Sequence, residues 1–449
     1  MRNYLIRRLL LIPPTMIGIT LLVFAITRFA PGGPMERMLQ QMSLGADQGG
    51  KASSTQKNNQ AGLSEDQIEA LEEQYGMDKP MLVAYCQWLG IFPREANRSK
   101  AEFGAREADT IGDDLDPETT ANAVLRGSGR AVRVVRNGAE IVSAKYVDGG
   151  NDVRDEGWKV RFESAAERKD RFITRNGNDS KPPNYSPRAI VYRQQFSGLL
   201  QGNLGNSMVY QDSVWEMIIS RVPVATYFGI LTALITYLIC IPLGIIKALR
   251  HRSWFDSASS ILIFIGYSVP GFALGAILLV HLGARLGWFP LFGVTSPDFN
   301  SMDFGEKILD LAHHTVLPLI CYLVGSFAMM TMMTKNNLMD HLASDYVRTA
   351  VAKGASYRRA VVGHALRNSM IPLAAGIGGL ISVFMGGSML VERVFDIQGF
   401  GLLQYQAVIE RDVPVIMGTL VIGAFLMLIG QILSDIALAI VDPRVKYDS

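Results

Sequence analysis

The stretch PVATYFGILTALITYLICIPLGII occupies residues 223–246 and contains no charged side chain. A helix needs about 20 mainly apolar residues to cross the roughly 30 Å of hydrocarbon in a bilayer. The stretch is long enough, and membrane helices tolerate its Gly and Pro residues better than soluble helices do. Other segments meet the same test, so the sequence predicts six transmembrane helices at 9–30, 223–246, 258–282, 313–333, 371–391 and 415–440.

The composition agrees with an α-helical polytopic membrane protein that carries one large polar insert. Of 449 residues, 49% are hydrophobic and only 19% are charged, and most acidic and amide side chains fall within 31–215. We expect an N-terminus with the first helix (1–30), the insert (31–215) and a five-helix core (216–449) with a cytoplasmic loop at 334–370. The net charge of +2 says nothing about nucleic acid, and the three cysteines lack the spacing of a disulfide framework or a zinc site.

Lysine and arginine are distributed unevenly between the loops, and this predicts the orientation. Fourteen lie at the N-terminus, in 247–257, in 334–370 and in the C-terminal tail, against four in 283–312 and 392–414. Short loops rich in these residues stay in the cytoplasm, and long loops are exempt from the rule. Both termini are therefore expected in the cytoplasm and the insert outside it. The first apolar run is too long for a signal peptide, which favours an uncleaved helix.

The insert is predicted to be a small α+β region with a hairpin within about 120–175. The run AVRVVRNGAEIVSAKYV alternates on both sides of Asn137–Gly138, which is a strong hairpin signal, and WKVRF at 158–162 indicates another strand. The segment 64–80 carries helix-capping signals, MLVAYCQWLG after it suits a second short helix, and 42–62 has too few apolar residues to fold. The role of the insert stays open between solubility or packing and the docking of a partner.

The sequence lacks the motifs of nucleotide and hydrolytic sites. It contains no G-x-x-x-x-G-K-[ST], H-E-x-x-H or G-x-S-x-G, and the insert has no histidine. Ionisable groups, which ion-coupled transporters use as relays, are missing from the middle of predicted helices two to five. Asp435, near one end of the sixth, is more typical of an interhelical hydrogen-bonding group than of a proton site. We expect a non-catalytic chain without its own cofactor or metal, which takes energy from another chain.

The largest predicted cytoplasmic loop contains the short basic helix YVRTAVAKGAS at Tyr346–Ser356. A helix that joins predicted helices four and five acts as a lever if a soluble partner grips it. Small side chains let a cleft close on its backbone, a glycine allows a sharp turn, and basic flanks pair with acidic groups or lipid. The residues concerned are Tyr346, Arg348, Thr349, Ala350, Ala352, Lys353 and Gly354. The alternative is an amphipathic helix that lies on the leaflet.

This loop, with HALRNSMIP after it, resembles the EAA-type loop of ABC importer permeases. In that family the loop forms a coupling helix held in a groove of the ATPase subunit. Ala350 and Gly354 match the pattern, whereas Arg348 and Thr349 replace its Glu and first Ala. The distance to Pro372 is that of the B-type subunit of oligopeptide and dipeptide importers. TKNNLMD, FPLFGVTSPDF and LSDIALAIVDPR are similar to stretches of the Yej-type (microcin C) peptide permeases.

The resemblance covers about 1–40, 64–90 and 195–449, and it implies the partners. It implies a type I importer fold in the bacterial inner membrane with a periplasmic insert, and a heterodimer with a second, homologous permease. Two ATPase subunits would carry ATP and Mg²⁺, and a periplasmic substrate-binding protein would deliver peptides. Residues 91–194 show no recognised family pattern.

The resemblance also implies two further sets of site residues. Small and flexible residues of predicted helices four and five are candidates for the translocation path or its gate, the alternative being ordinary helix packing. These are Met329, Met330, Met333, Met385, Gly386, Gly387 and Ser388. Glu392, Arg393 and Asp396 are candidates for contact with the binding protein, or are simply solvated.

Three functions are compatible with a chain of this composition. The favoured one is a permease subunit of a binding-protein-dependent ABC importer for peptides. An ion-coupled secondary transporter would need relay residues and a proton gradient. A membrane-anchored receptor or scaffold would lose all function without residues 91–190 while its helices were dispensable.

Overall fold

The computed structural model describes residues 2–29, 68–69, 72–73, 76, 78–104, 116, 118–176, 181–379 and 389–441. The chain divides into two compact units. The helical unit is formed by 1–34 with 204–449, and the insert unit by 35–203. The segment 42–62, predicted to be disordered, and most of the helix predicted at 64–80 lie outside the described residues.

The elements are numbered along the chain. The helices are α1 (Arg2–Phe29), α2 (Met81–Leu89), α3 (Ala165–Asn176), α4 (Val214–Leu249), α5 (Trp254–Ser268), α6 (Gly271–Arg285), α7 (Phe304–Leu342), α8 (Asp345–Ala352), α9 (Tyr357–Ala360), α10 (Ile371–Ala375), α11 (Met389–Phe395), α12 (Phe400–Glu410) and α13 (Val413–Val441). The strands are β1 (Arg94–Glu102), β2 (Thr120–Val124), β3 (Ala131–Asn137), β4 (Glu140–Tyr146), β5 (Trp158–Glu163) and β6 (Arg188–Gln195).

Several helices of the helical unit have the length and apolar composition of membrane spans. Among the described residues, α1, α4, α7 and α13 each pass this test, and the number rises to five if α5 and α6 together form one span. The fifth predicted helix, 371–391, includes residues 380–388, which lie outside the described part of the chain. The prediction of six transmembrane helices therefore stays a prediction.

The third predicted helix, 258–282, is bent by 89° between α5 and α6. Pro270 has no N–H for a helical hydrogen bond and disfavours a helical conformation in the residue before it. Val269 is accordingly extended, with φ −99° and ψ 121°. After the bend Gly271 approaches α7 so closely that a Cβ atom would stand 2.6 Å from the carbonyl oxygen of Cys321. The sequence prediction of one continuous helix is thus wrong at this proline.

Helices α4 and α7 touch through a glycine. A Cβ atom on Gly244 would lie 2.6 Å from Cβ of Thr334 and 2.8 Å from the carbonyl oxygen of Thr331. Both threonines are fully buried. Small residues of this kind let two helix backbones approach closely. Van der Waals contact can then hold the pair together in a lipid environment, where no hydrophobic driving force acts between helices.

The insert unit contains two antiparallel three-stranded sheets, ordered β1–β6–β5 and β2–β3–β4. The predicted hairpin is confirmed: β3 pairs with β4, and Asn137 lies opposite Glu140. The turn residue Gly138 has φ +63°, a left-handed conformation that glycine adopts without steric cost. The predicted strand WKVRF is confirmed as the start of β5, and the predicted second helix as α2. Buried apolar side chains such as Val132, Val134 and Trp158 form the core.

A buried network of charged side chains ties the insert unit together. Arg188 is fully buried, and its guanidinium contacts the carboxylates of Glu69 at 2.7 Å, Glu73 at 3.0 Å and Glu163 at 2.5 Å. Arg168 is also buried and donates to both carboxylate oxygens of Glu69, at 3.2 and 3.0 Å. Charges removed from water in this way require partners, because an unpaired buried ion is costly. The network joins β5 and β6 to Glu69 and Glu73, which precede α2.

Acid is expected to weaken the insert unit through Glu69. Burial opposes ionisation of its carboxyl, but the hydrogen bond from Arg168 and the charge of Arg188 outweigh burial and hold the pKa of Glu69 below its ordinary value of 4.5. A carboxyl with a lowered pKa stabilises the fold above its unfolded pKa, and this stabilisation is lost as the pH falls through the folded pKa. The protection factors of the insert in the full chain, which correct for the slower intrinsic amide exchange in acid, should therefore fall below about pH 4.5.

The matched variant for this experiment is Glu69→Gln, in which the loss of protection in acid should be smaller. Equal protection of the wild-type insert at neutral pH and at about pH 3.5 would contradict the expectation.

Candidate functional site

Helix α8 and the turn after it form the candidate site. Val347 is buried and Ala350 is half-buried on the side of α8 that faces the rest of the helical unit. They pack in an apolar cluster with Ala248 at the end of α4, Leu338 in α7 and Ala360 in α9, and we call this cluster the α8 seat. The helix therefore shares one apolar cluster with the ends of two long helices.

The opposite side of α8 is exposed. Its residues are Tyr346, Arg348, Thr349, Ala352 and Lys353, followed by Gly354. Tyr346 Oη lies 3.0 Å from Nδ1 of His341. The guanidinium of Arg348 lies 3.8 Å from the carboxylate of Asp345, and this solvent-exposed ion pair contributes little to stability. Six of the seven residues predicted from the sequence thus share one accessible surface. The exception is Ala350, which is half-buried in the α8 seat, and its contact with a cleft stays a prediction.

Apolar side chains enlarge this surface beyond the predicted motif. Val351, Tyr357 and Val362 are 42%, 61% and 57% exposed. No motif in the sequence indicates these three residues, because isolated apolar side chains in a loop carry no local signal of exposure. Exposed apolar groups around a small-residue helix are typical of a surface that a partner covers.

Gly354 ends α8 in the conformation that the sequence predicted. Its φ is +92°, its N–H donates to the carbonyl oxygen of Val351 at 2.9 Å, and the N–H of Ala355 donates to Ala350 at 3.1 Å. This is a left-handed helix cap, which satisfies the last carbonyls of the helix and reverses the chain.

Gly354→Pro is expected to unravel this cap. Proline is fixed near φ −65° and has no N–H, so both the turn and the bond to Val351 are lost, at a local cost of about 1–3 kcal/mol. Hydrogen exchange of residues 345–360 should become about tenfold faster or more. Gly354→Asn, which tolerates the left-handed region, is the matched control and should change exchange much less. Unchanged exchange in the proline variant would contradict this account.

The structure describes three of the seven predicted path residues. Met329 is 72% exposed on α7, and Met330 and Met333 are half-buried. Met385, Gly386, Gly387 and Ser388 lie outside the described residues. The role of all seven in a translocation path stays a prediction.

The three predicted contact residues of the outer segment separate into two groups. Arg393 and Asp396 are exposed. Glu392 is only 2% exposed, and its carboxylate accepts hydrogen bonds from the N–H of Leu402 at 2.6 Å and from Tyr322 Oη at 3.3 Å. It therefore caps the N-terminus of α12. This burial removes Glu392 from the surface where the prediction placed it, and contact with a partner stays a prediction for the other two.

Charged residues near the predicted membrane boundaries also have partners. Asp435 in α13 accepts a hydrogen bond from Tyr4 Oη at 3.0 Å and pairs with Arg8 of α1 at 3.2 Å. This agrees with the interhelical role that the sequence favoured. Lys247 and Lys335, which the sequence analysis counted as loop charges, are instead buried beside Asp256. Sequence reasoning missed this cluster because Lys335 lies 79 positions from Asp256.

Comparison with known proteins gives consistent results. The profile of the family described as binding-protein-dependent transport system inner membrane component matches residues 240–447. Relatives include the peptidoglycan transport system permease protein YejB of Agrobacterium fabrum, 29% identical over 100% of this chain and 99% of that protein. The inner membrane ABC transporter permease protein YejB of Escherichia coli O157:H7 is 40% identical over 55% of this chain and 68% of its own length. The oligopeptide transport system permease protein AppB of Bacillus subtilis is 36% identical over 58% of this chain and 81% of its own length.

Proposed function

Because this chain belongs to the family of binding-protein-dependent transport system inner membrane components, we propose that it is a permease subunit of an ABC importer for peptides. The names of its relatives support peptides or peptide-like compounds as the substrate class. The chain itself carries out no covalent chemistry in this proposal. ATP and Mg²⁺ are bound by two partner ATPase subunits, a second, homologous permease completes the pathway, and a binding protein delivers the peptide.

One observation carries the mechanical part of the proposal: α8 is exposed on one side and supported on the other. Its outer side offers basic flanks and small, exposed residues, Ala352 and Gly354 among them, which suit a groove of an ATPase subunit. Its inner side lies in the α8 seat, against the ends of α4 and α7. ATP-driven movement of the groove would therefore be imposed on the helices that line the path.

The proposed topology places six helices across the bacterial inner membrane. Both termini and α8 face the cytoplasm, and the insert faces the periplasm. Single cysteines at Ser128 in the insert and at Lys353 test this in a Cys86→Ser background, because both positions are exposed. An impermeant maleimide added to intact spheroplasts should label the cysteine at position 128 but not the one at position 353. Labelling at position 353 would show that the chain has the opposite orientation.

The function is tested with the full chain in its native assembly. The tagged chain is purified from native membranes, its associated chains are identified, and the assembly is reconstituted in vesicles with the binding protein. Uptake of a ¹⁴C-labelled tryptic peptide pool should require ATP and should persist when a protonophore collapses the proton gradient. A preparation without an ATPase subunit, or uptake by the isolated chain, would overturn the proposal, and uptake that needs the proton gradient would favour an ion-coupled transporter.

A further inference from the structure

Three charged side chains meet inside the helical unit, next to the α8 seat. Lys247 near the end of α4 is fully buried, Asp256 in the first turn of α5 is 4% exposed, and Lys335 in α7 is 9% exposed. We call them the ion cluster. It joins the consecutive helices α4 and α5 to the more distant α7, and the proposed transport mechanism gives it no role.

The hydrogen bonds of the ion cluster are short and complete. Lys335 Nζ lies 2.7 and 2.8 Å from the two carboxylate oxygens of Asp256. Lys247 Nζ lies 3.2 Å from Oδ1 of Asp256 and donates to the Asp256 carbonyl at 2.9 Å. It also donates to the hydroxyls of Ser259 and Ser260, at 2.6 and 2.8 Å. Every proton of the Lys247 ammonium thus has an acceptor on α5.

The backbone before α5 is shaped to support Asp256. The N–H of Arg252 donates to Oδ2 of Asp256 at 3.2 Å, and Arg252 has φ +62°. A non-glycine residue in the left-handed region is strained, and such strain persists only where the surrounding structure imposes it. His251 Nδ1 lies 3.4 Å from the same oxygen. The turn is therefore held in a costly conformation that directs its donors at one carboxylate.

The ion cluster lies between the α8 seat and the contact of α4 with α7. Lys247 is followed directly by Ala248, and Lys335 lies one helical turn before Leu338, both of which belong to the α8 seat. In the other direction, one turn before Lys247, Gly244 packs against Thr331 and Thr334. Along α4 and α7, the ion cluster thus lies between the residues that pack with α8 and the rest of each helix.

We propose that Lys247, Asp256 and Lys335 are positioning residues that lock the ends of α4, α5 and α7 into one body, so that movement of α8 is transmitted to all three. Apolar contacts in the α8 seat are non-directional and can slide. A buried ion cluster resists separation, because parting its charges leaves ions without partners in a medium of low dielectric constant. The inference rests on the proposed function, since it assumes that an ATPase moves α8.

Lys335→Met and Lys247→Met are the informative variants. Each removes one cation and leaves the other paired with Asp256, so the interior keeps a balanced ion pair and the fold is spared an unpaired charge. Lys335→Met detaches α7 from the ion cluster, and Lys247→Met detaches α4. Lys335→Arg keeps the charge and should retain function. Asp435→Asn is the matched control, because the Asp435–Arg8 pair joins α1 to α13 and does not touch the α8 seat.

The readout is the amount of ¹⁴C-labelled tryptic peptide taken up per ATP hydrolysed by the reconstituted assembly. Either methionine variant should lower this ratio about tenfold or more, with basal ATP hydrolysis retained, while Lys335→Arg and Asp435→Asn keep the wild-type ratio. A merely structural role would lower the yield of assembly, uptake and hydrolysis together and leave the ratio unchanged, which would overturn the inference. Failure of the proposed function itself would appear differently, as the absence of an ATPase from the wild-type assembly.

Discussion

Replacing Ala352 with arginine should remove most peptide uptake while leaving the chain folded. Ala352 is exposed on the outer side of α8, at the centre of the surface that the proposed ATPase groove covers. An arginine there separates the two surfaces and places a bulky cation between them. Disrupting a central interface residue costs about 2 kcal/mol or more, which corresponds to about 30-fold weaker association.

The measurement pairs uptake in vesicles with the amount of ATPase that co-purifies with the chain. Ala284→Arg is the matched control, because Ala284 is equally exposed but lies near the end of α6, in the predicted outer loop. Ala350→Arg is a poor test, since Ala350 is half-buried in the α8 seat and the change would disturb internal packing as well. Wild-type uptake and full ATPase recovery with Ala352→Arg would show that no groove closes on this face.

Replacing Arg188 with methionine should destabilise the insert unit by about 3–5 kcal/mol. Arg188 is fully buried and bonds three carboxylates, those of Glu69, Glu73 and Glu163. Methionine fills much of the same space but leaves these carboxylates with one cation fewer in a buried setting. Breaking one side of a buried ion network is costly for this reason, even though an intact network is itself weakly stabilising.

The free energy of unfolding of the insert can be measured by native-state hydrogen exchange in the full chain. Arg154→Met is the control, because the Arg154–Asp152 pair is 3.9 Å long and Arg154 is 41% exposed, so the expected loss is about 1 kcal/mol or less. A loss with Arg188→Met no larger than that of the control would contradict the role assigned to the network. Uptake by the same variant also separates the two roles left open for the insert: docking of a partner requires a folded insert, whereas a solubilising role does not.

Local features of the helical unit were predictable because their causes are local. Apolar length predicts the long helices, since each needs about 20 apolar residues whatever its neighbours are. The glycine at position 354 predicts the end of α8, because only a residue without a Cβ atom takes φ +92° freely. The bend at Pro270 has an equally local cause, but the apolar pattern continues through it and by itself indicates one unbroken helix.

The hairpin at Asn137–Gly138 was found in the same way, from alternation and turn chemistry. The charged network that closes the insert unit was not found. Glu69 and Arg188 are 119 positions apart, and no pattern within a short window indicates that they meet. The same is true of Asp256 and Lys335, which are 79 positions apart.

The sequence by itself determined the class of the protein, the positions of the long helices α1, α4, α7 and α13 and the resemblance of its central loop to a coupling helix, because composition, period and motif are properties of short stretches. Only the tertiary structure decided which side chains of each segment are exposed and which are buried. It turned Ala350 inward, buried Glu392 as a helix cap, and placed two lysines counted as loop charges around Asp256. The physical reason is that burial and ion pairing depend on which distant segments pack together, and packing is decided by the whole chain.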